Sequence, residues 1–215
     1  RTFLSFLGAC QLVGMDKMSS AFDDGVLDQL AELHLSILPD SLISLLGARF
    51  VRQFYRYVAG TRTEHLGFEL KSNRVIGGYL LTEAPNTLFW RLLFTTDLVL
   101  RAPLALVSPP LLRAIVEKVK SKGTRQDNTL PELLLIYVAE SHRNKGIGKR
   151  LLGDCTVRVG SVGYSGYYVR TLDDLEDATY KFYDRASFVR TRTIVHGGRS
   201  MVIMEKQVLD PTGLV

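Results

Sequence analysis

The chain has 215 residues, 46% hydrophobic and 23% charged, which suits one folded domain and excludes a fibrous repeat or wholesale disorder. A formal charge of +5 favours anionic partners without choosing between a nucleotide cofactor, a nucleic acid and an acidic membrane face. Two distant cysteines, Cys10 and Cys155, exclude a disulfide framework and a cysteine-based metal site, and they fit a reducing, cytoplasmic setting.

Residues 1–17 lack the basic-then-apolar layout of a signal peptide and read as an N-terminal extension, leaving residues 18–215 as a single domain. Leu27, Leu30, Leu33 and Leu35 suggest a short amphipathic helix. A second helix is expected from an N-cap at Asp40 or Ser41, through Leu45, Phe50, Phe54 and Val58, to a stop at Gly60. HLGFEL and VIGGYLLTE, joined by the turn-like KSNR, predict a β-hairpin whose Gly77-Gly78 pair permits a close approach. The stretch 86–123 is expected to be mostly helical, with Pro110 in the first turn of a helix through Leu111, Ile115, Val116 and Val119. Its apolar part is broken by Arg91, Asp97, Arg101 and several prolines, so it lacks the roughly 20 apolar residues of a membrane span.

LLLIYV is an unbroken apolar run, predicting a central strand buried on both faces. After it come the loop AESHRNKG and a helix carrying Ile147, Leu151, Leu152, Cys155 and Val159 on one side. On that stripe Cys155 reads as a buried structural thiol. A strand near GYYVR, an acid-capped helix from Asp173 to Ala186, and a closing hairpin of FVRTRTIV and SMVIMEKQV turning at Gly197-Gly198 complete the order. Tyr164, Tyr167 and Tyr168 fit alternation on a buried sheet rather than a nucleic-acid stacking platform.

The segment Arg143-Asn144-Lys145-Gly146-Ile147-Gly148 leads from a buried strand into a helix. Backbone amides unhindered at Gly146 and Gly148 can converge on an anion at the helix N-terminus, where the dipole also favours negative charge. A Walker loop would need glycine at Arg143 and a hydroxyl at Arg150, and a dinucleotide fingerprint would need a small residue at Leu151. Neither pattern is met. His34, His65 and His196 show no ligand spacing, and His142 beside the loop reads as a structural or solvent-facing residue, so no metal site is expected.

In this setting the segment resembles the [Q/R]-x-x-G-x-[G/A] cofactor motif of the GNAT superfamily of acyl-CoA-dependent N-acyltransferases. The order of elements is similar over roughly residues 25–208. The resemblance implies an α/β fold with a central mixed, mostly antiparallel sheet flanked by helices. It implies acetyl-CoA as co-substrate, its pyrophosphate held by Arg143, Asn144, Lys145, Gly146, Ile147, Gly148 and Lys149, and its pantetheine arm paired with the main chain of Ile136, Tyr137 and Val138. EDATYKFYDRASF stands where the family has a second landmark, so Tyr183 resembles the tyrosine that protonates the leaving thiolate. Glu176, Thr179 and Ser187 depart from that landmark's usual asparagine, alanine and glycine. Glu132, eleven positions ahead of Arg143, has the spacing of a glutamate used as base in some members.

The function so implied is N-acetylation: direct transfer in a ternary complex from acetyl-CoA to a primary amine of a small molecule of the amino-sugar or amino-acid type. A protein amine acceptor and an inactive acyl-CoA sensor are the alternatives. No nucleic acid and no membrane span are expected as partners, and the apolar excess over 92–107 offers a surface for a homodimer. Asp40, Arg190, Arg192 and Arg199 fall in the segments expected to face the acceptor.

Overall fold

A computed structural model describes residues 22–85, 87–88, 91–92, 129–196 and 199–208. The 1–17 extension, the helix expected over 111–119, the apolar surface over 93–107 and the Gly197-Gly198 turn lie outside the described residues.

The first helix, α1 (Asp24–Ile37), starts where the Asp23 carboxylate accepts the Val26 N–H at 2.7 Å. Its buried face is Leu27, Leu30, Ala31 and His34, an i, i+3, i+4, i+7 stripe. That stripe differs from the all-leucine one expected: Leu33 and Leu35 are half-buried, and a histidine takes an innermost place. The second expected helix is two, α2 (Leu42–Leu45), capped by Ser41, and α3 (Ala48–Ala59), ended by Gly60. Gly47 divides them with φ 94°, a conformation side-chain-bearing residues rarely adopt.

The hairpin forms as expected: β1 (Glu64–Lys71) and β2 (Arg74–Thr82) join through Ser72 and Asn73, both with positive φ. The motif strand is β3 (Glu132–Val138), followed by α4 (Ile147–Ser161), β4 (Gly166–Leu172), α5 (Ala178–Arg185), β5 (Val189–His196) and β6 (Arg199–Gln207). The buried stripe of α4 is the one expected, Ile147, Leu151, Leu152, Cys155 and Val159. Helix α5 starts later than expected. Asp177 accepts the N–H groups of Thr179 and Tyr180 at 2.8 and 3.0 Å and so fixes the start, while Asp173 pairs with Arg190 at 2.8 Å and ties the end of β4 to the closing hairpin.

The six strands form one sheet in the order β1-β2-β3-β4-β6-β5, with β3/β4 parallel and all other pairs antiparallel. Successive residues of a strand face opposite sides, so the sheet carries two cores. Leu80 and Tyr137 pack under α1 and α3, whereas Tyr79, Leu81, Leu133, Tyr167 and Val169 pack under α4 and α5. The two glycines of β2 serve one side each. A Cβ on Gly77 would lie 3.0 Å from Leu151 of α4, and one on Gly78 would lie 2.9 Å from Leu30 of α1. No helix among the described residues is long and apolar enough to cross a membrane.

Candidate active site

Parallel pairing of β3 with β4 is confined to one register, Glu132 with Tyr168, closed by the Tyr168 N–H donating to the Pro131 carbonyl at 3.1 Å. Beyond it the strands separate toward their C-terminal ends and leave a gap in the sheet. A bulge helps: Leu80 faces Leu135 and Leu81 faces Leu133, so Leu134 is the extra residue that bends β3. The Ala139 N–H donates to the Ile76 carbonyl at 2.8 Å, and the Tyr137 carbonyl faces Gly77. Strand alternation then turns the main-chain groups of Ile136 and Val138 toward the gap and those of Tyr137 toward β2. Of the three strand residues expected along the cofactor, two face the gap; the phenol of Tyr137 is committed elsewhere.

At the open end of the gap, β3 runs through a short 3-10 turn (Glu140–His142) into the motif loop. Asn144 and Gly146 have φ of 60° and 75°, and α4 begins directly after them with no side-chain cap. The first helical bond is the Arg150 N–H to the Gly146 carbonyl at 3.1 Å; the N–H groups of Asn144 through Lys149 find no backbone acceptor among the described residues. Six consecutive donors at a helix N-terminus form a row that can seat an anion. Ile147 contributes only its amide, because its side chain is buried in the α4 core. Lys145 donates to the Ser141 carbonyl at 2.8 Å and Arg143 approaches the Val138 carbonyl at 3.4 Å, so both cations stay beside the seat, with Lys149 exposed nearby. Gly148 keeps the first turn slim: a Cβ there would meet the Phe182 ring at 3.3 Å.

Tyr183 stands on the α4/α5 side of the sheet, 5% exposed, its ring 5.2 Å from that of Phe188 and 5.3 Å from that of Phe182. Burial, with the Cys155 thiol close by, pushes its ionisation well above the ordinary phenol range, so the hydroxyl keeps its proton at neutral pH. That hydroxyl makes no hydrogen bond among the described residues. Cys155 is fully buried and its thiol is raised for the same reason, which fits a structural role. Ser187, at the second landmark's glycine place, has φ 65°, the backbone state that explains the usual glycine.

Glu132 stands on the opposite, α1/α3 side, at the narrow end of the gap and 2% exposed. Its oxygens accept Arg170 Nε at 2.6 Å, Arg170 Nη2 at 2.8 Å and the Tyr168 hydroxyl at 3.1 Å. The expected base is thus one half of a buried bidentate ion pair, and an acceptor amine would have to displace Arg170 or Tyr168 to reach it directly. The carboxylate and Tyr183 lie on opposite sides of the sheet, with the gap between them. Sequence reasoning missed Arg170 and Tyr168 as partners of Glu132. It also missed a buried chain joining Tyr137, Tyr55, His34 and Ser41. Glu140 is exposed in the loop, and the His142 ring nitrogen Nδ1 lies 3.0 Å from the neighbouring Ser141 hydroxyl.

Comparison with known proteins bears on this arrangement. Residues 111–188 match the model of the acetyltransferase (GNAT) family. No curated protein matches the chain in sequence. Among solved structures, the fold is similar to a GNAT-family acetyltransferase from Desulfovibrio desulfuricans, at 15% identity and TM-score 0.54 over 86% of this chain and 92% of that one. It is similar to aminoglycoside 6'-acetyltransferase type Ii, at 15% identity and TM-score 0.56 over 87% and 95% of the two chains. It is also similar to an aminoglycoside 6'-N-acetyltransferase complexed with coenzyme A, at 14% identity and TM-score 0.54 over 85% and 91%.

Proposed function

For a chain that carries a GNAT acetyltransferase family segment within the fold of solved GNAT acetyltransferases, we propose N-acetylation of a small primary amine by direct transfer from acetyl-CoA in a ternary complex. The observation that carries the reading is the row of six open amides from Asn144 to Lys149, at the mouth of a gap along which the β4-facing edge of β3 is unpaired beyond Glu132. The amides take the pyrophosphate, with Arg143, Lys145 and Lys149 adding positive charge. Ile136 and Val138 offer main-chain donors and acceptors to the two amide groups of the pantetheine arm, as a strand offers them to a neighbouring strand.

The chemistry follows from the two sides of the gap. An amine that has given up its proton to solvent attacks the thioester carbonyl carbon from the α1/α3 side. The carbon–sulfur bond breaks as the carbon–nitrogen bond forms, and the thiolate takes the hydroxyl proton of Tyr183 from the α4/α5 side. The attacking nitrogen loses its second proton to water as the adduct collapses and the phenolate takes one proton back from solvent, so from an ammonium acceptor the products are the amide, free CoA thiol and one released proton. Glu132, paired with Arg170, pins the narrow end of the gap, and water serves as the proton acceptor. An acceptor of the amino-sugar or amino-acid type agrees with the two neighbours named for aminoglycosides.

Replacing the acid tests the assignment. Tyr183→Phe keeps the ring among Phe182 and Phe188, so the acetyl-CoA dissociation constant stays within about twofold while thiol release across a panel of amines slows about 100-fold. An unchanged turnover would remove Tyr183 from the reaction.

A further inference from the structure

Five polar side chains form one continuous chain inside the α1/α3 layer. The Tyr137 and Tyr55 hydroxyls are 2.7 Å apart, Tyr55 Oη lies 2.9 Å from His34 Nδ1, and His34 Nε2 lies 2.9 Å from Ser41 Oγ. Ser41 Oγ donates to Ser44 Oγ at 2.9 Å and accepts the Ser44 N–H at 3.1 Å. His34 and Tyr55 are 0% exposed and Tyr137 is 5% exposed.

The protons can be assigned from the network alone. Ser41 has one hydroxyl hydrogen and donates it to Ser44, so toward His34 it accepts and Nε2 carries the ring proton. In a neutral ring Nδ1 is then the acceptor, Tyr55 donates to it, and the Tyr55 oxygen accepts from Tyr137. Every link has one donor and one acceptor, running in a single direction from β3 to α2. Apolar side chains would fill this space at lower desolvation cost, since a buried hydrogen bond adds only about 1 kcal/mol net. What such a chain supplies is a fixed relation between its ends. One end is Tyr137, between the two strand residues that face the gap. The other is Ser41, which closes the loop 38–41 and caps α2.

We propose that His34 is a positioning residue: through Tyr55 and Tyr137 it couples occupation of the gap along β3 to the order of the acceptor-side loop 38–41. The functional half of this statement rests on the proposed acetyl-CoA site; the mechanical half does not. Hydrogen exchange separates them. In the ligand-free protein, Tyr137→Phe removes one hydroxyl and touches neither loop nor α2, yet amides of residues 38–47 exchange about tenfold faster, the factor for one hydrogen bond of roughly 1.4 kcal/mol. Tyr55→Phe breaks the same chain and gives the same result should the first variant fail to fold. With saturating acetyl-CoA as probe, the wild type gains protection at 134–139 and also at 38–47, whereas Tyr55→Phe gains it at 134–139 only. A merely structural chain would not carry that second response.

Unchanged exchange at 38–47 in both folded variants overturns the proposal, as does wild-type protection confined to 134–139. If acetyl-CoA protects neither segment, the cofactor reading fails, and the ligand-free comparison still decides whether the chain couples its ends.

Discussion

Arg170→Met lowers the unfolding free energy by about 3–5 kcal/mol, the cost of leaving a buried charge without its partner. Glu132 is 2% exposed and receives both forks of the Arg170 guanidinium, so the variant leaves a carboxylate with only the Tyr168 hydroxyl in a site closed to water. Removing both charges is a different matter. Glu132→Leu combined with Arg170→Met recovers most of the loss, because a well-packed apolar pair replaces a desolvated ionic one at little net cost. Urea unfolding at neutral pH reads both values. A single variant within 1 kcal/mol of wild type would mean that the pair is not closed off from water. The consequence for the site is direct: the one sheet contact between β3 and β4 lies at Glu132 and Tyr168, so loosening it alters the gap.

Acid destabilises the protein well above the carboxylate range, and His34 is the cause. Burial lowers its pKa from 6.5 to about 4, and the groups bonded to the ring, the Tyr55 phenol and the Ser41 hydroxyl, carry no negative charge to offset a proton. The unfolded chain therefore binds a proton between pH 6.5 and 4 that the folded chain refuses. Stability is complete above pH 6.5 and falls as pH drops through this window, by about 3 kcal/mol in all. Glu64, whose carboxyl is held below its ordinary value by hydrogen bonds and the Arg91 charge, loses its contribution only at lower pH, so the windows separate. Chemical unfolding at pH 7.5, 6, 5 and 4.5 checks the slope, and His34→Gln should flatten it. An equal slope in both proteins would assign the effect to other groups.

How much of this was legible in the sequence follows the range of the interactions. Helix α4 and its cofactor loop were readable because their signal is local: an apolar stripe at helical spacing and two glycines at the entry. The α1 stripe was misread because hydropathy counts His34 as polar, while its three partners lie 7, 21 and, through Tyr55, more than 80 positions away. The long helix from Ser41 was one element on periodicity and two in space, since Gly47 interrupts without leaving a gap in the pattern. The start of α5 was placed early because a run of acids reads as one long cap; Asp177 caps, and Asp173 is spent on Arg190. Glu132 shows the limit most clearly. Its spacing from Arg143 was visible, but Arg170 lies 38 residues on and is brought alongside only by the parallel register of β3 and β4.

The proposed activity requires that the loop from Arg143 to Lys149 seat acetyl-CoA. A thermal unfolding titration with acetyl-CoA, with ATP and NAD run alongside, tests it most directly. At about 100 times the dissociation constant, binding adds roughly 2.7 kcal/mol and raises the Tm by about 5–10 °C for a chain of this size. A saturable rise with acetyl-CoA that ATP and NAD do not reproduce is the predicted result. No rise at millimolar acetyl-CoA, or an equal rise with all three, would contradict the assignment of the loop.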